Sequence, residues 1–174
     1  MTQNRILKAF KNDGTECGIE EGDYCQLELL GTKALAIGGV ALVSTQSLPT
    51  ILALKWYLGA DGYPVGYPAR RKMHHVLRDA PPGHVVDHIN RDRLDNRLEN
   101  LRVCTHKQNS YNTSRRGPGF KGVKKSKDGW CATITKDGRR HVIRDIPTER
   151  DAAKIYDLMA GELFGQYAGK NFAE

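Results

Sequence analysis

Apolar and polar residues alternate with a period of two over residues 24–30, and a second short apolar run follows at 40–43. Both predict half-buried strands, so residues 1–70 read as β-rich. Gly31-Thr32-Lys33 reads as a turn into a further extended stretch over 34–37, and Gly38-Gly39 as the turn that follows it. Ser44 is placed to cap a helical stretch through Leu48, Ile51 and Leu52 towards Trp56. Gly59-Ala60-Asp61-Gly62 predicts a hairpin turn with arms at 55–58 and 63–67, and Pro64 and Pro68 mark the second arm as an edge strand.

From residue 74 to 80 a short helix or strand precedes the turn Pro81-Pro82-Gly83, and a short strand over 85–88 follows. Asp95 or Asn96 is expected to cap a helical turn over 97–101, and Thr105 a helix with Gln108 as its capping-box partner. Asn109 and Asn112 then share one face of that helix. Beyond a basic Gly/Pro-rich linker, three strands are expected at 121–126, 130–136 and 141–144, turning at Lys127-Asp128-Gly129 and Asp137-Gly138. Thr148 opens a long helix whose stripe of Ala152, Ala153, Ile155, Tyr156, Met159, Leu163 and Phe164 has helical spacing, and Gly165 ends it. The fold class is α+β. Four parts are expected: a β-rich region at 1–70, a strand-loop-helix segment at 71–114, a linker at 115–119, and a three-stranded antiparallel sheet packed on one helix at 120–174.

Charge refines this division. The chain of 174 residues carries a net charge of +7. Residues 1–60 hold 5 basic and 6 acidic side chains, residues 61–119 hold 11 and 6, and residues 120–174 hold 11 and 8. The positive charge lies with the middle and C-terminal parts, which suits a polyanionic partner. Cys17, Cys25, Cys104 and Cys131 are scattered singly with no C-x-x-C pair, so no structural zinc is expected, and buried thiols of a reducing cytoplasm are the better reading. The longest apolar stretch, around 34–43, is broken by glycines and too short to cross a bilayer, so no membrane is expected as a partner.

The segment 86–112, V-D-H-I-N-R-D-R-L-D-N-R-L-E-N-L-R-V-C-T-H-K-Q-N-S-Y-N, holds the candidate chemistry. Asn100 lies twelve residues after His88, and Asn109 nine further on. A neutral imidazole can take a proton from water, while a carboxylate and an amide oxygen suit one hard cation, Mg²⁺ or Mn²⁺. His88 is therefore the candidate base and Asp87 the candidate cation ligand. Asn100 can accept the other imidazole N–H and fix the tautomer, and Asn109 can complete the protein's share of the cation's ligands. Taken singly, an Asp-His pair is usually surface decoration and asparagines usually serve turns; the joint spacing carries the argument.

That spacing resembles the HNH nucleases, in the branch of phage and intron-encoded homing endonucleases whose last histidine is an asparagine. The resemblance covers about 73–112. It implies a ββα-metal fold, metal ligation by Asp87 and Asn109, general-base action by His88, and orientation of that histidine by Asn100. His75 matches the histidine that often opens the family's segment, as a structural residue or a phosphate contact. Asn96 and Asn112 match positions that serve loop geometry or contact DNA. His84 and His106 read as solvated surface residues. The upstream K-W-Y and G-Y resemble a hairpin common in this branch.

Downstream, F-K-G-V, W-C-A-T-I, T-E-R-D-A-A-K-I-Y-D and K-N-F resemble the Apetala-two/ethylene-response-factor DNA-binding domain over 120–172. The resemblance places base-reading positions at Lys121, Lys124, Thr133, Thr135 and Arg140, with Lys125 and Arg139 adding positive charge. Lysines and threonines stand where the plant domains carry arginines and a glutamate, so their target sequence does not carry over. Trp130 is expected at the sheet edge against sugar rings, or else in the core.

The chain thus reads as a metal-dependent endonuclease of double-stranded DNA in the host-cell cytoplasm, acting as a monomer and nicking one strand. The alternative is a DNA-binding regulator with an inactive nuclease segment; a nuclease acting on RNA is a weaker third. Deleting residues 118–174 is expected to weaken DNA binding and blur site choice while leaving slow, metal-dependent cutting.

Overall fold

Two sets of apolar side chains close on themselves, one in each half of the chain, and they define the architecture. The computed structural model describes residues 3–115 and 117–172; Arg116 of the expected linker lies outside the described residues. It divides into Met1–Cys104 and Thr105–Glu174. The boundary falls ahead of the expected linker, inside the segment that carries the candidate chemistry.

In the first unit, β1 (Ile6–Phe10), β2 (Glu16–Cys17) and β3 (Tyr24–Glu28) are followed by α1 (Thr32–Ile37), β4 (Val40–Ser44) and α2 (Leu48–Leu52). Then come β5 (Lys55–Leu58), β6 (Pro64–Tyr67), β7 (Arg71–Lys72), α3 (Met73–Leu77), β8 (His84–His88), β9 (Asp95–Asn96) and β10 (Leu101–Thr105). One sheet has the order β2-β1-β3-β4-β9, a second β5-β6-β7, and β8 pairs with β10. The inward positions of β3 and β4, Cys25, Leu27, Ala41 and Val43, bury completely against Ile51, Trp56 and Met73. Asn4 fixes the neighbouring hairpin, since its amide donates to the Trp56 carbonyl at 2.9 Å and accepts from the Trp56 N–H at 2.8 Å.

Several expectations are met and others corrected. The β3 and β4 strands and the β5–β6 hairpin form as expected, the hairpin with Lys55 opposite Tyr67 and Leu58 opposite Pro64. The extended stretch expected at 34–37 is instead helix α1, terminated by Gly38 at φ 61° with its N–H on the Ala34 carbonyl. Ala, Leu and Lys favour the helix, and a glycine at C-terminal left-handed geometry closes it. Ser44 caps nothing; its hydroxyl accepts from the Leu98 N–H at 2.9 Å, and α2 stops at Leu52, with Trp56 already in β5. Strand β6 is central rather than an edge, because Pro64 is its first residue and β7 pairs only with Val65 and Gly66. Asp95 and Asn96 cap no helix but pair with β4 in parallel, opposite Leu42 and Val43.

The second unit runs from α4 (His106–Tyr111) through β11 (Val123–Ser126), β12 (Gly129–Lys136) and β13 (Arg139–Ile146) to α5 (Glu149–Phe164). The strands form one antiparallel sheet with β12 in the middle. Asp137 at φ 51° and Gly138 at φ 78° make the expected tight hairpin turn. Thr148 caps α5 by accepting from the Asp151 N–H, and Ala152, Ala153, Tyr156, Ala160 and Phe164 bury against Val123, Ala132, Ile134 and Ile146. Trp130 packs against this cluster. The expected three-stranded sheet with one helix across it is observed. The molecule is a mixed α+β protein of several small sheets and few helices.

Close approach of β11's entry to α5 makes Gly122 indispensable: it has φ +72°, and a Cβ there would lie 2.1 Å from the Tyr156 ring. Gly122→Ala is expected to destabilise the protein by about 2–4 kcal/mol, through overpacking added to left-handed strain. Gly138→Ala, with φ +78° but open space around it, carries only the strain of about 1–2 kcal/mol. Denaturant unfolding of the two variants checks the difference, which equal losses would remove.

Candidate active site

Strand β8 delivers Asp87 and His88 to a loop that the chain closes with hydrogen bonds of its own. Asp87, His88, Asp95, Asn96 and Asn100 are all less than a tenth exposed, so each needs partners to offset lost hydration. Asn100 supplies the closure. Its Oδ1 accepts from the Asn90 N–H at 3.0 Å, and its Nδ2 donates to Asn90 Oδ1 at 2.9 Å and to the Asp95 carbonyl at 2.7 Å. The Asp95 carboxylate is gripped by Arg97 through Nε and Nη2, both at 2.8 Å, and receives Asn90 Nδ2 at 2.8 Å. Burial alone would push the Asp95 carboxyl up, but Arg97 and Asn90 outweigh it and hold it below its ordinary value.

The imidazole meets an amide other than the expected one. His88 Nε2 lies 3.3 Å from Asn96 Oδ1, while every hydrogen bond of the Asn100 side chain stays within the loop. Asn96 is fully buried and its Nδ2 donates to the Arg93 carbonyl at 3.1 Å, which turns its oxygen towards the ring. A neutral His88 therefore carries its proton on Nε2 and its basic lone pair on Nδ1. Burial lowers its pKa below the ordinary histidine value, against opposing pulls from the Asn96 contact and from Asp87, Asp95 and Asp92. The ring is then neutral at pH 7, the form a general base needs.

Two residues at the site were not anticipated. Arg102 on β10, the partner strand of β8, donates from Nε at 3.0 Å and Nη2 at 2.7 Å to Asp87 Oδ2. The signal was the second strand itself, since a charged residue on a strand beside a buried carboxylate is a natural counter-ion. His74 on α3 is the other. Its ring stands edge-on to His88 with centroids 4.9 Å apart, and Tyr63 packs against both histidines at 5.0 and 5.9 Å. Burial, and then the neighbouring His75, His88 and Lys72, lower the His74 pKa to about 3, so it stays neutral. His75 lies beside it with rings 4.2 Å apart and is only half-buried. His84 and His106 are exposed, as expected.

In the second unit, Thr105 and Gln108 form the expected capping box at the start of α4. Asn109 is half-buried and its side chain makes no hydrogen bond among the described residues, whereas Asn112 is buried as the helix C-cap. Of the positions expected from sequence to contact DNA, Lys124, Thr133, Thr135 and Arg140 share the sheet face turned from α5, because their partners Cys131, Val142 and each other alternate with the buried Ala132 and Ile134. Lys125 and Arg139 pair with Trp130 and Lys136, which lie on the α5 side. Lys121 turns inward: its Nζ donates to the Tyr111 carbonyl at 2.7 Å.

A family model described as HNH endonuclease matches residues 79–111, the stretch that supplies β8, the closed loop, β10 and α4. An uncharacterized HNH endonuclease, L560 of Acanthamoeba polyphaga mimivirus, is 42% identical over 142 residues, covering 77% of this chain and 75% of that protein. The chain belongs to the HNH endonuclease family. Protein 3.8 of Escherichia phage T7 is also similar, 33% identical over 93 residues that cover 51% of this chain and 76% of its own. No solved structure matches. The HNH segment makes the protein a DNA-cleaving hydrolase.

HNH nucleases typically use a divalent metal. No group of three or more His, Cys, Asp or Glu that could hold a metal occurs among the described residues. No helix among the described residues is long and apolar enough to cross a membrane.

The exchange of roles between the two asparagines is testable. Asn96→Ala is expected to slow cutting by the folded protein about 10–100-fold, as for other residues that orient an active side chain, and to cost about 1–3 kcal/mol by orphaning the Arg93 carbonyl. Asn100→Ala is expected to lower stability by about 1–3 kcal/mol by orphaning buried groups. Cutting rates set beside unfolding curves check this; a slow, fully stable Asn100→Ala protein would return the orienting role to Asn100.

Proposed function

We propose that the protein is a divalent-cation-dependent endonuclease that nicks double-stranded DNA, in the manner of the homing endonucleases. The observation that carries this reading is the His88 ring, buried, neutral and held through Nε2 by Asn96, beside the Asp87 carboxylate. Hydrolysis of a phosphodiester needs a base for the attacking water and a counter-charge for the phosphate oxygens. His88 Nδ1 takes the proton from water. Asp87 and Asn109 hold the cation, Mg²⁺ or Mn²⁺, which neutralises the scissile phosphate and the leaving oxygen. Arg102 fixes the orientation of Asp87. His75 contacts the DNA backbone or supports the loop, and Asn112 shapes the end of α4.

Residues 120–172 serve as a targeting module similar to the Apetala-two/ERF type. Lys124, Thr133, Thr135 and Arg140 present the face that meets DNA, with Lys125 and Arg139 adding charge at its margins. A ββα-metal fold on 71–114 is the geometry this chemistry requires. One such centre cuts one strand, so a monomer nicks, and a double-strand break takes two events.

Incubation with supercoiled plasmid and Mg²⁺ or Mn²⁺ tests the reading. Nicked circles are expected from the wild type, and none with a chelator present. His88→Ala is expected to slow nicking about 10²–10⁴-fold, the usual contribution of a positioned base, and Asp87→Ala to raise the cation concentration required. Nicking by His88→Ala at the wild-type rate would overturn the assignment of the base.

A further inference from the structure

Helix α4, which carries Asn109, is folded into the C-terminal unit by contacts at its last turn. The Tyr111 ring stacks on Phe164 of α5 with centroids 3.9 Å apart and planes 12° from parallel. The Tyr111 carbonyl, left without an intrahelical partner at the helix end, accepts from Lys121 Nζ at 2.7 Å and from the Gly169 N–H at 3.1 Å. Gly169 is buried, and a Cβ there would come within 2.8 Å of the Tyr111 carbonyl and 2.9 Å of Thr113's, so the approach depends on glycine. Lys107 pairs with Asp137 of the β12–β13 turn, but both are exposed and the pair adds little.

A helix of six residues has too few internal hydrogen bonds to hold itself in water. Its place comes from what it packs on. Asn109 is two residues before Tyr111, so the Phe164 ring and the Lys121 and Gly169 bonds set where the amide stands. We propose that Tyr111, Phe164 and Gly169, all in the same unit as α4, are positioning residues for Asn109. This rests on the proposed reading of Asn109 as a cation ligand.

The full-length protein tests it through the Mn²⁺ dependence of plasmid nicking, with metal-free DNA binding measured in parallel. Tyr111→Ala is expected to raise the Mn²⁺ concentration for half-maximal nicking at least about 10-fold, the scale of lost ligand support. DNA affinity should remain near that of the wild type. Tyr111→Phe keeps the ring and the backbone carbonyl and should need no extra Mn²⁺. Should Tyr111→Ala fail to fold, Gly169→Ala carries the test, since its Cβ crowds the Tyr111 carbonyl at 2.8 Å while removing no side chain from the core; the same rise is expected. An unchanged Mn²⁺ requirement in the folded variant, with Asn109→Ala defective, overturns the positioning role and leaves the function standing. Wild-type nicking by Asn109→Ala overturns the ligand reading itself.

Discussion

The closure of the loop between His88 and Leu101 by the Asn100 side chain is the constraint on which the candidate site depends. The chain leaves β8 at His88 and enters β10 at Leu101, and the turn it makes buries Asp95, Asn96 and Asn100. A buried carboxylate and two buried amides can be kept only if their hydrogen-bonding groups are met. Asn100 reaches Asn90 at the start of the turn and Asp95 in its middle, and Arg97 neutralises Asp95. That leaves Asn96 fixed with its oxygen on His88. Orientation of the ring is thus inherited from a network in which one missing member orphans the others.

Asp87 answers to a different requirement. It is buried next to a guanidinium, Arg102, which is itself only 12% exposed. Removing one partner of such a pair leaves an uncompensated charge, at a cost of about 3–5 kcal/mol. The arginine also lowers the field that a lone cation would feel at the carboxylate. On the proposed reading, firm cation binding therefore needs further oxygen donors, and a substrate phosphate is one that arrives only with DNA. Such an arrangement couples cation binding to substrate more closely than a cluster of carboxylates would.

Much of this was legible in the residues. The β3–β4 pair and the β5–β6 hairpin follow from alternation and turn chemistry, and the α5 stripe with its Thr148 cap and Gly165 terminus follows from helical spacing. The Asp87-His88 strand and the Thr105–Gln108 capping box are likewise local. The departures have two causes. Helix α1 follows from local helix propensity and its Gly38 terminus, which outweigh an extended reading of 34–37. The second neighbour of β6, the asparagine that faces His88 and the partner of Ser44 are instead decided by pairing and packing that spacing along the chain does not reveal. Ser44 shows this best: its hydroxyl looked like a helix cap but serves the N–H of Leu98, 54 residues away. His74 was hidden beside His75 for the same reason, because spacing along the chain does not say which of two adjacent histidines faces the core.

The boundary at Cys104–Thr105 has a consequence for how recognition and chemistry can be related. Helix α4 and the outer face of the β11–β13 sheet belong to the same unit and share one core through Tyr111 and Phe164. A sheet gripped by DNA and a helix stacked on that core cannot move independently without separating the rings. On the proposed reading, the asparagine that serves as a cation ligand and the sheet face that meets DNA are therefore held by one core, and the integrity of that core is a condition for both.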